Sequence, residues 1–505
     1  MTMDTPLESH ELRTPLNIGG TGIPGALIED IALRLIVSLG RPTVVELAER
    51  LHSGATIAEQ IVASMRDRHL VEYEGMVGRT YVLNATEKGR AHSKIRSEEC
   101  RYQGPLPVPL PLYTRVVRAQ KPDLHLNREM LTRSFSDLVM SDALIDQLGP
   151  AVCGEGAMFL YGPPGTGKSS IAERLIRAYN GAVLVPHAVE VAGQIVTVFD
   201  PVLHDPLPDQ PAEMDPRWVL CHRPAVIAGG ELHGGMLDLT LDREVGVYLA
   251  PLQFKANNGI LVIDDFGRQS MTPEELLNRW IVPLDRQIDF LTMGGRKFQV
   301  PFEVKVVLST NLEPTDLGDE AFFRRIHNKV YVGCLDDQQF NFVLARVGKV
   351  KELEILESGA DRLRAMARAM GDGELRAYLP GVVCKLALAI CAYENLSPVL
   401  TPPLVDRVLD LYFAKSNDGR RPGGPRPALS APTSQAALSA PLTTGEHAPA
   451  LVPASTVQAD RFAADPVAAA AGLGSTAGEA QGDQLEWTQL DPQGVTAGTT
   501  VEGLR

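Results

Sequence analysis

The strongest structural signal in this chain is the stretch MFLYGPPGTGKSSIAERLI, residues 158–176, in which a glycine-rich turn joins an apolar run to an amphipathic pattern. The turn GPPGTGKS has the spacing GxxxxGK(S/T), which is typical of loops that bind phosphate groups. Gly165 and Gly167 allow backbone conformations that point successive N–H groups inward, and Lys168 adds a positive charge. The flanks predict strand, loop and helix in that order, a context that a chance glycine turn lacks. The residues predicted to hold the phosphates are Gly162, Pro163, Pro164, Gly165, Thr166, Gly167, Lys168, Ser169 and Ser170.

A second apolar run ends in two carboxylates. In GILVIDDFG, residues 259–267, four apolar residues precede Asp264 and Asp265. Beside a phosphate loop, we expect Asp264 and the Ser169 hydroxyl to bind Mg²⁺, and Asp265 to orient an attacking water molecule. A generic buried strand that ends in two aspartates is the alternative interpretation.

These two segments resemble the AAA+ family of P-loop ATPases, and so does the sequence that follows them. VKVVLSTNLEP (304–314) is similar to the family's third core strand, which would make Asn311 the sensor 1 residue. DEAFFRRI (319–326) is similar to the segment that bears the arginine finger, either Arg324 or Arg325, with a solvated pair or a local salt bridge as the alternative. The resemblance implies an α/β fold with a doubly wound parallel sheet and bound ATP and Mg²⁺. It also implies a homo-oligomer, either a ring such as a hexamer or a filament, with nucleotide between subunits.

The segment between the two carboxylates and the sensor 1 residue indicates which branch of the AAA+ family this chain resembles. Residues 271–307 predict a helix, two strands that meet at Gly294 and Gly295, and the next core strand. This order is similar to the hairpin-bearing AAA+ branches, which include MoxR-type chaperones and the activators of alternative sigma factor.

Two departures from the family pattern affect the predicted activity. Asp265 stands where most of the family has glutamate, and its shorter side chain predicts measurable but slow hydrolysis. In the helical lid that we expect over residues 336–415, the usual place of the sensor 2 arginine reads PGV at 380–382. Arg376 or Lys385 would have to substitute for it.

An insertion is expected at about residues 185–250, because the phosphate loop and Asp264 lie further apart than a compact core requires. It contains a predicted strand pair that turns at Ala192 and Gly193. The glycine-rich loop 229–235 is either an ordinary turn or a loop that faces a ring pore. Four histidines of this region lack the spacing of a metal site and are expected to be surface or core residues: His187, His204, His222 and His233.

The amino-terminal region predicts three helices, at about 26–38, 43–51 and 56–72, followed by two short strands, an order that resembles a winged helix-turn-helix. Such a domain binds either DNA or protein, and acidic residues dilute its positive charge, so DNA contact, protein docking and intramolecular packing all stay open. The basic residues available for phosphate contact are Arg66, Arg68, Arg79, Lys88, Arg90, Lys94 and Arg96.

Composition sets the limits on domain organisation. The proline-dense stretch YQGPLPVPLPLY (102–113) predicts a semi-extended linker or strap, and the Ala, Pro, Gly, Ser and Thr-rich sequence after Ser416 predicts disorder. The predicted division of the chain is an amino-terminal arm (1–24), a winged helix-like domain (25–100), a linker (101–125), an ATPase core (126–335), a lid (336–415) and a disordered tail (416–505).

Net charge, apolar run length and cysteine spacing argue against a chain-wide polyanion binder, a membrane-spanning protein and a disulfide-rich secreted protein. The 505 residues carry a formal net charge of -14, which argues against a chain-wide polyanion binder. The amino terminus does not have the pattern of a secretory signal, and no apolar run is long enough to span a bilayer. Six scattered cysteines without CxxC pairs predict reduced thiols, and we expect a cytoplasmic protein.

The sequence therefore predicts an ATP-binding AAA+ ATPase that couples ATP binding and slow hydrolysis to the remodelling or recruitment of a macromolecule, most simply a protein client. One alternative is a DNA-bound, ATP-dependent regulator or loader that uses the winged helix. The other is a scaffold that binds ATP without hydrolysing it.

Overall fold

The structure, a computed structural model, describes residues 12–121, 127–154, 156–179, 181–313, 326–370 and 373–413. Arg324 and Arg325 lie outside the described residues, as does the predicted disordered tail. The predictions made for them stay predictions.

The N-terminal unit consists of four helices and a hairpin. Helix α1 ends at Gly40, whose φ of 83° suits a residue without a side chain. Helix α2 begins with a capping box between Thr43 and Glu46, as its sequence favours. The elements of the N-terminal unit are α1 (Gly25–Leu39), α2 (Val44–Leu51), α3 (Ala55–Asp67), β1 (Val71–Val77), β2 (Thr80–Ala85) and α4 (Glu87–Glu99). Helix α4 was not predicted.

The proline-dense segment contains more regular structure than we predict for it. Val108–Pro109 forms a short strand, β3, and Leu110–Ala119 forms helix α5. Pro111 lies in the first turn of α5, where a missing N–H breaks no intrahelical hydrogen bond. The prediction of a semi-extended linker or strap was therefore wrong from Leu110 onward.

The middle of the chain contains helices and short strands, and its described residues form seven strands between α8 and α9. Their bounds follow in chain order: α6 (Arg128–Ser134), α7 (Asp142–Cys153), β4 (Met158–Tyr161), α8 (Lys168–Arg174), β5 (Ala182–Pro186), β6 (Ala188–Val191), β7 (Gln194–Thr197), β8 (Trp218–His222), β9 (Ala225–Ala228), β10 (Thr240–Asp242), β11 (Val247–Leu249), α9 (Leu252–Lys255), β12 (Ile260–Ile263), α10 (Pro273–Arg286), β13 (Ile288–Met293), β14 (Arg296–Pro301), β15 (Lys305–Thr310) and β16 (Asn328–Tyr331).

A parallel five-stranded sheet forms the centre, in the order β16-β4-β15-β12-β9. All residues of β12 and β15 are buried, as expected for strands covered on both faces. The predicted α/β class with a parallel sheet is confirmed. Because the strands are parallel, the segments after β4, β12 and β15 emerge at one edge, where ligands of such sheets bind.

A second core lies beside the central sheet. Five strands in the order β10-β11-β7-β6-β3 form its main sheet, and β5 pairs with β8. One face of the β13–β14 hairpin packs into this core through Leu291, Met293 and Val300. The predicted insertion range, 185–250, is partly wrong, because it includes β9, the edge strand of the central sheet.

The N-terminal unit is continuous with the insertion. Its buried residues form one cluster with Tyr102 and Leu106 from the proline-dense segment and with Ala188, Ile195 and Val247 from the insertion. The N-terminal unit therefore does not have a separate hydrophobic core.

The lid is helical and has its own core, centred on residues such as Leu363, Val383 and Val405. None of the helices in the described part of the chain is long and apolar enough to cross a membrane. The lid elements are α11 (Asp337–Val350), β17 (Glu354–Ile355), α12 (Glu357–Met370), α13 (Leu379–Glu394), β18 (Val399–Leu400) and α14 (Pro402–Tyr412).

Candidate nucleotide site

The loop between β4 and α8 has the backbone geometry of an anion cradle. Gly162, Gly165 and Gly167 have φ values of 139°, 78° and 98°, a region that L side chains rarely adopt. At Gly162 an added Cβ would lie 2.4 Å from the carbonyl oxygen of Val332, so space also requires glycine there. The N-terminus of α8 follows directly, and its free N–H groups favour a bound anion.

The Lys168 side chain lies inside this loop. It is 6% exposed, and its Nζ donates hydrogen bonds to the carbonyl oxygens of Gly162, at 2.9 Å, and Pro163, at 2.8 Å. Burial lowers the pKa of Lys168, and the negative charges of Asp264 and Asp265 oppose that shift. Lys168 and the two carboxylates are therefore close enough to interact electrostatically.

The remaining loop residues differ in exposure. The Thr166 hydroxyl donates to the Pro163 carbonyl oxygen at 3.1 Å and so serves the loop itself. Ser169 is exposed in the first turn of α8. Gly162, Thr166 and Lys168 are buried, Pro163, Gly165, Gly167 and Ser170 are half-buried, and Pro164 and Ser169 are exposed.

The two aspartates follow β12, two strands away from the phosphate loop. Asp264 is half-buried, and its Oδ1 accepts a hydrogen bond from the Asp265 N–H at 3.0 Å. Asp265 is exposed and has a φ of 49°, the left-handed region that is unfavourable for a residue with a side chain. Ser169 and Asp264 offer hydroxyl and carboxylate oxygens, the hard ligands that suit Mg²⁺.

Asn311 meets Asp265 at the same edge of the sheet. It follows β15, which lies between β4 and β12, and its Nδ2 donates to Asp265 Oδ1 at 3.4 Å. The structure thus brings together four of the predicted site residues: Lys168, Asp264, Asp265 and Asn311.

The lid contacts the phosphate loop through a residue that sequence reasoning missed. The Tyr378 N–H donates to the Gly165 carbonyl oxygen at 3.2 Å, and a Cβ on Gly165 would lie 2.3 Å from Tyr378 Cδ1. Burial and a hydrogen bond with Tyr412 raise the pKa of Tyr378 to about 12. Its place within the predicted helical lid is the only sequence signal that pointed to it.

Of the two lid residues predicted as substitutes for sensor 2, Arg376 lies two residues before Tyr378, which contacts the phosphate loop. The Cys334 thiol donates to Glu374 Oε2 at 3.0 Å, and burial raises the pKa of this thiol to about 12. Arg376 and Lys168 both lie close enough to Cys334 to oppose that shift. Lys385 is exposed in the middle of α13.

The four insertion histidines do not come together with the carboxylates. Within the described residues, no group of three or more His, Cys, Asp or Glu side chains is placed to hold a metal ion. His204 is buried, and its Nδ1 accepts from the Asp200 N–H at 2.9 Å. His187 packs edge-on against His52 of the N-terminal unit, with ring centroids 4.6 Å apart.

Comparisons with known proteins add little to this description. No family model and no curated protein matches the sequence. Among solved structures, the chain is similar to NtrX from Brucella abortus, with 15% identity over 57% of this chain and 58% of that one and a TM-score of 0.36. NtrX in complex with ADP gives 16% identity over 54% and 56% of the two chains and a TM-score of 0.34. A mutant of RuvB from Thermotoga maritima gives 13% identity over 58% and 76% and a TM-score of 0.34.

This chain thus spans 58% of the length of the NtrX structure. The fold assignment depends on the strand order and the loop geometry described above.

Proposed function

We propose that this chain is an AAA+ ATPase that binds ATP with Mg²⁺ and couples slow hydrolysis to the remodelling or recruitment of a protein partner. One observation carries the proposal: the phosphate loop after β4, Asn311 after β15 and the two aspartates after β12 follow neighbouring strands at one edge of a parallel sheet, where Asn311 Nδ2 donates to Asp265 Oδ1 at 3.4 Å. A phosphate loop with metal-binding and water-orienting carboxylates is the arrangement that nucleotide hydrolysis needs.

The phosphates are held by the chain's own amides. The left-handed glycines Gly165 and Gly167 turn N–H groups toward the anion, and the N-terminus of α8 favours negative charge at the same point. Lys168, which now donates to two loop carbonyl oxygens, exchanges those partners for phosphate oxygens. Ser169 and Asp264 would hold Mg²⁺, and the ion would neutralise charge on the phosphates.

Asp265 orients the attacking water and accepts its proton, and Asn311 holds the Asp265 carboxylate in place. The side chain of aspartate is one methylene shorter than that of glutamate, and misplacement of a catalytic group by about 1 Å costs up to about 100-fold in rate. Slow turnover follows. The proposed arginine finger, Arg324 or Arg325, would act from a neighbouring subunit of a ring, which makes oligomerisation a condition of full activity.

A protein partner is favoured over DNA, because several basic side chains of the N-terminal unit are engaged in intramolecular contacts. Arg68 forms an ion pair with Glu29, Arg96 pairs with Asp30 at 2.8 Å, and the Arg66 guanidinium lies 4.8 Å from the centre of the Tyr73 ring. Cations engaged in this way contribute less to phosphate binding than free ones.

The same unit exposes apolar groups. At the tip of the β1–β2 hairpin, Met76, Val77 and Tyr81 are 58%, 62% and 44% exposed. An apolar tip with an aromatic residue suits a protein surface. In addition, the backbone N–H of Ile18 donates to Gln60 of α3 at 3.2 Å, so the N-terminal arm contacts the helix that would read DNA in a winged helix.

Turnover and binding measurements on the full chain test the proposal. Lys168→Ala should weaken ATP binding by more than about tenfold, because it removes a charge-assisted contact, with an unchanged thermal unfolding midpoint. Asp265→Asn should keep ATP binding and lose turnover, and the same variant serves as a trap to retain the client. Equal ATP affinity in wild type and Lys168→Ala would remove Lys168 from the site.

DNA in the same assay separates the alternatives. Turnover that DNA leaves unchanged supports the protein remodeller. Stimulation by DNA, with salt-sensitive binding, supports the DNA-bound regulator, and ATP binding without any turnover supports the scaffold.

A further inference from the structure

The turn that follows β12 is held by a side chain to which the proposed chemistry gives no role. Gln269 is half-buried, and its Nε2 lies 2.9 Å from the Asp264 carbonyl oxygen and 3.2 Å from the Asp265 carbonyl oxygen. Its Oε1 accepts a hydrogen bond from the Gly267 N–H at 2.8 Å. One amide group therefore spans the whole turn.

These contacts fix the backbone on both sides of Asp265. The Asp264 carbonyl belongs to the peptide plane before the Asp265 Cα, and the Asp265 carbonyl belongs to the plane after it. Because peptide planes are rigid, holding both of them sets φ and ψ of Asp265. The φ of 49° is one that a non-glycine residue keeps only where its surroundings determine it.

The same side chain reaches a second segment. Gln269 Nε2 lies 3.5 Å from the Gly229 carbonyl oxygen, in the glycine-rich loop after β9. Ser270 adds a contact beside it, because its Oγ donates to the Leu232 carbonyl oxygen at 2.9 Å. The loop that the sequence leaves open as a turn or a pore-facing segment is thus tied to the carboxylate turn.

We propose that Gln269 is a positioning residue, which holds Asp265 in the conformation that meets Asn311 and connects this carboxylate to the 229–235 loop. The inference rests on the proposed ATPase function and deepens it, since a partner that moves the loop would change the geometry of Asp265. Gln269 does not itself touch the reacting atoms.

Two substitutions remove the contacts while keeping the length of the side chain. Gln269→Met loses donor and acceptor, and Gln269→Glu keeps an acceptor for the Gly267 N–H but loses both donors. We expect kcat to fall about 10- to 100-fold in both, as for other groups that orient a ligand or base, while the ATP dissociation constant stays within about twofold.

The chain offers a matched control. Gln210 in the insertion makes an equivalent set of contacts, with Nε2 2.7 Å from the Leu207 carbonyl oxygen and 3.0 Å from that of Leu220, and Oε1 accepting from the Leu220 N–H at 2.8 Å. Gln210→Met should leave kcat unchanged. A merely structural role of Gln269 predicts similar kinetics for Gln210→Met and Gln269→Met.

Hydrogen exchange of the nucleotide-free full chain gives a readout that does not depend on turnover. Gln269→Met should accelerate exchange in segments 264–270 and 228–232 relative to wild type and Gln210→Met. If wild type lacks turnover, the ATPase proposal fails, and exchange alone decides the role of Gln269. Unchanged protection in both segments, or wild-type kcat in both Gln269 variants, overturns the inference.

Discussion

Arg376 and Lys385 are the two lid residues that could replace the sensor 2 arginine, and their surroundings in the fold distinguish them. Both are lid residues with a positive charge, and the sequence does not choose between them. Arg376 is half-buried and lies near the Cys334 thiol, which also interacts with Lys168 of the phosphate loop. Lys385 projects from the exposed side of α13. Because Arg376 also lies two residues before Tyr378, which contacts Gly165, we expect Arg376 rather than Lys385 to contact a bound phosphate.

Arg376→Ala should therefore weaken ATP binding about tenfold, the value of a charge-assisted hydrogen bond of roughly 1.5 kcal/mol. Lys385→Ala is the matched control and should bind ATP as wild type does. Titration of each purified protein with a fluorescent ATP analogue measures both affinities. A larger loss in Lys385→Ala than in Arg376→Ala would contradict this assignment.

The β13–β14 hairpin is an integral part of the fold. Asp289 on β13 is 1% exposed and accepts two hydrogen bonds from Arg279 of α10, at 2.6 and 2.9 Å, and one from Gln253 of α9, at 3.0 Å. Together with the buried Leu291 and Val300, this network joins the hairpin to the helix that follows the carboxylate turn. The hairpin is therefore placed to follow any movement of that helix.

Arg279→Met should lower the free energy of unfolding by about 3–5 kcal/mol, because it leaves the buried Asp289 carboxylate without its cationic partner. The control is Arg296→Met at the exposed tip of the same hairpin, which should stay within about 0.5 kcal/mol of wild type. Urea unfolding of the three proteins measures the difference. Equal midpoints for the two variants would show that the ion pair does not stabilise the hairpin.

The N-terminal unit and the insertion form a continuous structure. Arg217 of the insertion forms a buried ion pair with Asp215, at 2.8 Å, and donates to the carbonyl oxygens of Thr21, at 2.9 Å, and Pro107, at 3.2 Å. The His52–His187 contact lies at the same junction, where His52 Nδ1 is 2.8 Å from the Pro216 carbonyl oxygen. Movement of the insertion would therefore be transmitted to the N-terminal unit.

This junction predicts a dependence of stability on pH. Burial, and to a lesser extent His52, lowers the pKa of His187 from 6.5 to about 4. Between pH 6.5 and pH 4 the His187 side chain is protonated in the unfolded chain but stays neutral in the folded protein. The free energy of unfolding therefore falls as the pH falls through this range, by up to about 3 kcal/mol from this residue.

His187→Phe removes the titrating group and keeps an aromatic ring, so its unfolding free energy should fall less than that of wild type between pH 7 and pH 4. His222→Phe, at a side chain that is 59% exposed, serves as the control and should follow the wild-type curve. Urea unfolding at a series of pH values measures the three curves. Identical curves for wild type and His187→Phe would contradict the prediction.

The chain sequence by itself determined the local features. The phosphate loop, the carboxylate pair after an apolar run and the first three helices depend on glycine conformation, apolar periodicity and capping residues, which act between neighbours in the chain. The proline-dense segment is the exception, because proline disfavours a helix interior but not the first turn, and the sequence alone did not mark where that turn begins.

Tertiary structure decided which distant segments meet. A short apolar strand such as β9 can pair with several partners, so its place at the edge of the central sheet depends on packing rather than on its own residues. Three hydrogen bonds at the site join residues that come close only when the strands and the lid assemble. They connect Asn311 with Asp265, Tyr378 with Gly165, and Gln269 with Gly229. Such contacts gain their energy from burial and geometry in the folded state, which no local pattern encodes.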